Sequence, residues 1–337
     1  MQPLRLSANT PRSFYRGAGR IHRFRGVPEP EDPYYPEDWL ASTTARHGQE
    51  PSGLTTLPDG RLLVEHVAAQ PERWLGSAHV ARYGADPAVL VKLLDAGQRL
   101  PLHAHPDRSS ALAHLASPYG KTEAWVIVEA APDAAVYLGF ARAVTPDELT
   151  GWVTAQRVGE MLATTNRIPV RAGDAVLVPA GLPHAIGPGI LLVEVQEPTD
   201  LSVLLEREGF AVPASAAHLG LALDEAMACV DRSAWSPARL AGLTGARAAG
   251  RTRPGTQRLF TAAADEFFAA ERLRPDPVSV LDPGFSVVVA VAGHGTLAHG
   301  GGSVSVSRGD TLLVPYAAGP GRLTGDVEAI RCRPPLP

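Results

Sequence analysis

A mainly β fold with helices inserted among its strands is what this sequence predicts, built on a unit that occurs twice. Three observations carry the prediction. Glycine (33) and proline (31) are abundant among 337 residues while aromatics make up only 6%, a composition suited to many short strands joined by tight turns. The chain also exceeds the roughly 250–300 residues at which a single hydrophobic core stops growing, so two packed units are expected. Finally, two segments match: "RAGDAVLVPAGLPHAIG" (171–187) and "SRGDTLLVPYAAGPGRL" (307–323) each run from a Gly-Asp turn through four strand residues to a proline. A repeated supersecondary unit accounts for that.

Taken in order, residues 1–50 are interrupted by "GVPEPEDPYYPEDW" and are expected to be irregular and partly packed, with "EDWLASTT" leading a short strand toward the core. In 59–83, "LLVEHVAA" has apolar residues three and four apart until Pro71 and Gly76 break it, which reads as a small helical layer. "AVLVKLLDAGQRLPLHAHPD" reads as a strand, a turn at Ala96–Gly97 and a second strand carrying histidines. "TEAWVIVEA", "AAVYLGF", "IPVRAGDAVLVPAG" and "GILLVEVQE" continue as short strands. Among them "TPDELTGWVTAQRVGEMLATT" starts a helix, with Thr145 as its N-cap, Pro146 at the first helical position and acidic residues in the first turn. "AHLGLALDEAMACVDRSAWSPARLAGLT" supplies one or two more helices, "ARAAGRTRPGTQ" has the composition of a linker, and from about Arg258 the strands return. The expected organisation is therefore a first domain over 1–210, a helical segment and linker over 211–250, and a second, barrel-like domain over 251–337.

A formal charge of −4, with 31 lysines and arginines spread along the chain, leaves no basic footprint for nucleic acid. No run of eighteen apolar residues and no secretory h-region occurs in the sequence, so a soluble cytoplasmic protein working on small molecules is expected, with no membrane partner. Cys229 and Cys332 are too few and too far apart for a disulfide framework or a thiolate metal site. Nothing marks an obligate assembly, so a monomer or weak homodimer is expected.

The chemistry concentrates in "LHAHPD" (102–107), where His103 and His105 stand two apart. Residues two apart on a strand share a face, and the neutral imidazole is the commonest protein metal ligand. A third histidine follows a distinctive turn: Gly173, five residues, Pro179, one residue, Gly181, two residues, His184. Those are the two histidine motifs of cupin-type (jelly-roll) barrels, in which a glutamate follows on the next strand; Glu123 stands eighteen residues past His105. A small β-barrel can bring such inward-facing residues around one ion. Three imidazoles and a carboxylate suit zinc, iron, manganese, cobalt or nickel, with no thiolate to choose among them. Only the first copy of the repeat carries the histidine, so the expected architecture is a bicupin with its metal in the forward barrel. The other histidines, His294 and His299 included, lack partners at ligand spacing, and Trp39 and Trp125 are read as core.

"LLDAGQRLPLHAHPD", "GKTEAW", "VPAGLPHAIGPGILLVEVQEPTD" and "PEDWLAST" together resemble, in order and spacing, the class I mannose-6-phosphate isomerases of the cupin superfamily, especially their short bacterial form. The resemblance covers nearly the whole chain and is most specific over 91–200. It implies interconversion of mannose 6-phosphate and fructose 6-phosphate with one divalent metal ion, Zn2+. It also implies metal ligands at His103, His105, Glu123 and His184, an active-site lysine at Lys121 and a proton-transferring glutamate at Glu194. Two departures stand out. His103 occupies a position where the family has glutamine, and Leu204 stands four residues after Asp200 where the family has arginine. Arg207, three residues further on, and Arg108, nearest the metal strand, are the substrate-binding arginines expected instead, with Arg16 and Arg25 as further sources of an anion pocket. Three other functions fit the same ligand set: an isomerase for another phosphorylated or free sugar, a metal cupin dioxygenase, and a sugar-binding protein.

Overall fold

The computed structural model describes residues 1–244 and 251–336, with backbone alone for Arg251 and Thr252. The strands form three antiparallel sheets. A central sheet runs Glu37–Leu40, Leu90–Ala96, Ile190–Gln196, Glu123–Ala130, Ala175–Val178. The two-residue alternation of a strand sends Val91, Leu93, Val126, Leu191, Val193 and Val195 into a core shared with Val287, Val289 and Ile330 of the C-terminal sheet and with Phe268, just before its strand Ala269–Leu273. Their neighbours Leu94, Trp125, Ile127 and Leu192 face a second core, under the outer sheet. Cover on both faces is why "LVKLLDA" and "ILLVEVQ" read as almost continuous apolar runs.

The outer sheet runs Val203–Leu204, His103–Ala104, His184–Ile186, Ala135–Phe140, Thr165–Pro169. Its far face, with Ala104, Ala185 and Val203, packs under Leu149, Trp152, Met161 and Ala226 of the helices. The layers therefore stack as helices, outer sheet, central sheet, C-terminal sheet. In the last, the long strands Ser286–His299 and Gly321–Arg333 pair with each other. The chain's first strand, Leu4–Arg5, joins that sheet with Leu4 opposite Leu313. None of the described sheets closes into a barrel.

Several expectations change in detail. Residues 1–50 hold the short strand expected from "EDWLASTT", Glu37–Leu40, and more regular structure than "irregular" allows: the strand Leu4–Arg5 and a helix at Arg20–Arg25. The helical layer after Asp59 is three short helices, Leu63–Ala69, Pro71–Leu75 and Ser77–Tyr83. The strand expected to carry both histidines has only two residues, His103–Ala104, so His105 lies just beyond it. The turn before it is tight: a Cβ on Gly97 would sit 2.2 Å from the Gly17 carbonyl carbon. The single helix expected from Thr145 is two, Pro146–Thr154 and Val158–Thr164, broken where Gln156 takes φ of 49°. Thr145 does cap the first, its hydroxyl accepting from the Glu148 N–H at 3.2 Å. An unforeseen helix, Arg108–Leu115, starts where Asp107 accepts from the Ser110 N–H at 2.8 Å. Of the expected linker, 246–250 lies outside the described residues, while 251–257 falls largely on the strands Arg251–Arg253 and Thr256–Arg258.

Candidate active site

Sheet register assembles the site. On the inner face of the central sheet, Trp39 lies opposite Lys92, Lys92 opposite Glu194, and Glu194 opposite Trp125. Glu37 and Glu123 share that face through the same alternation. From the outer sheet, His103 lies directly opposite His184 and is flanked on its other side by Leu204.

The three imidazoles are fixed in one tautomer. His103 Nδ1 lies 2.8 Å from the Pro101 carbonyl, His105 Nδ1 2.8 Å from the Leu201 carbonyl and His184 Nδ1 2.7 Å from the Leu182 carbonyl. A carbonyl can only accept, so each ring donates from Nδ1 and carries a lone pair on Nε2, the arrangement that orients metal-ligating histidines. Ligating atoms of the three residues lie within 4.8 Å of one another. The Glu123 carboxylate joins them, Oε2 lying 3.0 Å from His105 Nε2 and Oε1 3.3 Å from His184 Nε2. Lone pairs facing lone pairs repel unless a cation lies between them, and His184 Nε2 is buried with no hydrogen-bond partner. The donor set therefore fits a divalent ion. Among the described residues, His103, His105 and His184 are the one group of three or more ligating side chains so gathered.

Charge states follow from burial and neighbours. Burial, reinforced by the Lys121 charge, holds His105 down at about 3; burial and the other two imidazoles hold His103 well below its ordinary value. Both are neutral at pH 7, as ligands must be. Burial would raise Glu123, but Lys121 and the histidines outweigh it and keep its carboxyl well below the usual range. Lys121, with Nζ 2.6 Å from Glu123 Oε2 and 3.0 Å from His105 Nε2, is raised: burial would lower it, but Glu123 and Glu194 prevail. Glu194 goes the other way, pushed up to about 7 by burial and by the Glu123 charge.

A small inner cavity of about 50 Å³ is lined by His103, Lys121, Glu123, Glu194 and Lys92. It meets an outer cleft of about 630 Å³, and Phe14, Arg46, Asp200, Ser202 and Leu204 line both. Four of the residues here, Lys92, Glu37, Arg46 and Tyr15, are absent from the sequence expectations. Lys92 left a signal, one of two charges, with Asp95, in an otherwise apolar buried strand. Its Nζ lies 3.6 Å from Glu194, 3.9 Å from Asp200 and 4.0 Å from Glu37, and 4.4 Å from the Trp39 ring centre. Against the effect of burial, Lys92 and Arg46 hold Glu37 at about 2. Lys92→Met strands these carboxylates, so urea unfolding should show a loss of about 3–5 kcal/mol; a loss below about 1 kcal/mol would show that Lys92 does not balance them.

The expected substrate arginines lie elsewhere. Helix Arg108–Leu115 carries Arg108 away from the histidines, where it pairs with Glu197 at 2.6 Å and Glu266 at 2.8 Å. Arg207 is exposed and follows a strand of only two residues, its backbone N–H donating to Gln156 at 2.8 Å. Neither lines the cavity or the cleft. Arg16 hydrogen-bonds Gln98, and Arg25 pairs with Asp38 on the opposite sheet face. Trp39 and Trp125 are fully buried, donating to Glu37 and Glu123 at 2.7 Å and 3.0 Å.

Fold and site thus define an antiparallel β protein with a buried histidine–carboxylate donor set that fits a metal ion. The chain matches no family model. It is 38% identical over 117 residues to mannose-6-phosphate isomerase ManA of Bacillus subtilis, 35% of this chain and 36% of that protein. It is 29% identical over 202 residues to mannose-6-phosphate isomerase of Streptococcus mutans, 59% of this chain and 58% of that one. The chain thus spans about a third to three fifths of the length of these relatives. The crystal structure of the mannose 6-phosphate isomerase from Bacillus subtilis has the same fold, with a TM-score of 0.78 at 20% identity over 99% of this chain and 100% of that one. So does the apo form of the Salmonella typhimurium enzyme, with a TM-score of 0.77 at 14% identity and 100% coverage of both. The chain is thus similar in sequence to mannose-6-phosphate isomerases over part of its length and shares the fold of solved members over nearly all of it.

Proposed function

We propose that this protein is a metal-dependent aldose–ketose isomerase interconverting mannose 6-phosphate and fructose 6-phosphate. The observation that carries the reading is the set of three inward-facing imidazoles and the Glu123 carboxylate beside Lys121 and Glu194 in one cavity. His103, His105, Glu123 and His184 hold the ion, which we take to be zinc. A divalent ion there supplies positive charge to stabilise the oxyanion that develops as the carbonyl shifts between adjacent carbons.

The chain's own groups do the rest. Glu194, pushed up to about 7, is tuned to take a proton from one carbon and return it to the next near neutral pH. Lys121, cationic and buried, holds an anionic oxygen of the sugar. In architecture, we read the forward half as a cupin-type unit over about 1–210, joined by a helical segment and linker to a metal-free cupin-like unit from about 251. The protein works in the cytoplasm as a monomer or weak homodimer.

Metal analysis of the purified protein should find one divalent ion per chain, and a coupled assay should follow both sugar phosphates; no interconversion by metal-replete protein would sink this reading. A second reading, an isomerase for a different phosphorylated or free sugar, is favoured by Leu204, which gives the meeting of cavity and cleft an apolar wall. A panel of aldoses and their phosphates distinguishes the two.

A further inference from the structure

We infer that Arg46 is the anion anchor of this active site, the side chain that grips the phosphate of the substrate. The inference rests on the isomerase reading above and adds a residue to it. With the reacting carbons 1 and 2 of a hexose 6-phosphate beside the histidines, the phosphate on carbon 6 lies at the far end of the molecule, toward the outer cleft. Phe14, Arg46, Asp200, Ser202 and Leu204 are the residues common to the cavity and the cleft, and Arg46 is the cation among them. The other cations of the site are committed elsewhere. Lys92 and Lys121 line only the inner cavity, not the cleft, and Lys121 bonds Glu123 at 2.6 Å. Arg12, in the cleft, is exposed and pairs with Asp32 at 3.3 Å.

The setting of Arg46 fits the task. Its side chain is 7% exposed, yet Nε is buried without a hydrogen-bond partner. Asp200 stands 3.6 Å from Nε, too far to bond it, and Nη1 donates to the Arg12 carbonyl. Asp200 and that carbonyl aim the guanidinium while leaving hydrogen-bonding capacity for a ligand. A planar guanidinium matches phosphate oxygens in geometry as well as charge. Leu204, on the same walls, offers neither. Sequence reasoning could not single out Arg46, because it sits in a loop with no periodicity.

The test is calorimetric titration of inorganic phosphate into metal-replete wild type, Arg46→Gln and Arg46→Lys, together with steady-state kinetics on mannose 6-phosphate. Arg46→Gln should weaken phosphate binding by about tenfold or more and raise KM similarly, with kcat moving less than about threefold. Arg46→Lys, which keeps the charge but loses the fork, should fall between. Unchanged phosphate affinity in Arg46→Gln overturns the assignment, as does a fall in kcat at constant KM. If thermal unfolding shows that Arg46→Gln does not fold, Arg46→Lys decides, and an affinity equal to wild type overturns the proposal. Should wild type interconvert no sugar phosphate, the isomerase reading fails while the titration still judges Arg46; wild type that binds no phosphate overturns the anchor itself.

Discussion

His184→Ala protein should contain less than a tenth of the metal of wild type and turn over sugar phosphate at least about a hundredfold more slowly. Changing a group that merely orients a ligand typically costs about 10–100-fold in metal affinity or activity, so removing a ligand sets that range as a lower bound. The expectation starts from His184 Nε2, a buried lone pair with no protein donor. Its ring is locked by the Leu182 carbonyl and lies opposite His103 across the strands. Chelation of wild type should reproduce the kinetic loss, and adding metal back should reverse it there but not in the variant. Metal analysis on dialysed protein is the check; a variant that keeps one equivalent of ion and full turnover removes His184 from the centre.

Glu194→Gln should lower kcat by about 10²–10⁴-fold with little change in KM, the usual contribution of a general acid–base group. The pH profile identifies the role. Because burial and the Glu123 charge push Glu194 up to about 7, its ionised fraction grows across neutrality, so kcat/KM of wild type should rise with pH through about 7. Glu194→Gln should lose that limb. The stability effect has the opposite sign. A folded-state value above the ordinary 4.5 means that the fold favours the protonated form, a contribution present below about pH 4.5 and lost as pH rises through 7. Glu194→Gln should therefore be at least as resistant to urea as wild type at pH 8. A profile with its rising limb intact in the variant would give the proton transfer to another group.

How much of this was legible in the chain depends on the range of the interactions involved. The gathering of His103, His105, Glu123 and His184 could be read because glycines and prolines impose turns at fixed places, and because strand alternation tells which side chains share a face. Thr145 announced its helix through capping chemistry that is entirely local. Arg108 misled because nearness in sequence to the histidine strand is not nearness in space; the Asp107 cap starts a helix that carries it off. Lys92, Glu37 and Arg46 come from three separate stretches, and only the pairing of Glu37–Leu40 with Leu90–Ala96, together with the loop at Arg46, brings them together. The matching Gly-Asp segments likewise fix two four-residue strands, Ala175–Val178 and Thr311–Val314. They say nothing of the fourteen- and thirteen-residue strands of the C-terminal sheet, whose length follows from neighbours distant in sequence.

The hydrophobic contact between the central and C-terminal sheets makes the half that lacks the gathered histidines a structural partner of the half that holds them. Val91, Leu93, Val126, Leu191, Val193 and Val195 alternate with the residues of the cavity along the same strands and look the other way, onto Phe268, Val287 and Ile330. A gene cut short before the final third would leave that greasy surface facing water, and the polypeptide would clump before its histidines could be presented. Chemistry at one end of the molecule thus depends on a tail that contributes no atom to it, which places damage to the tail among the ways to lose catalysis.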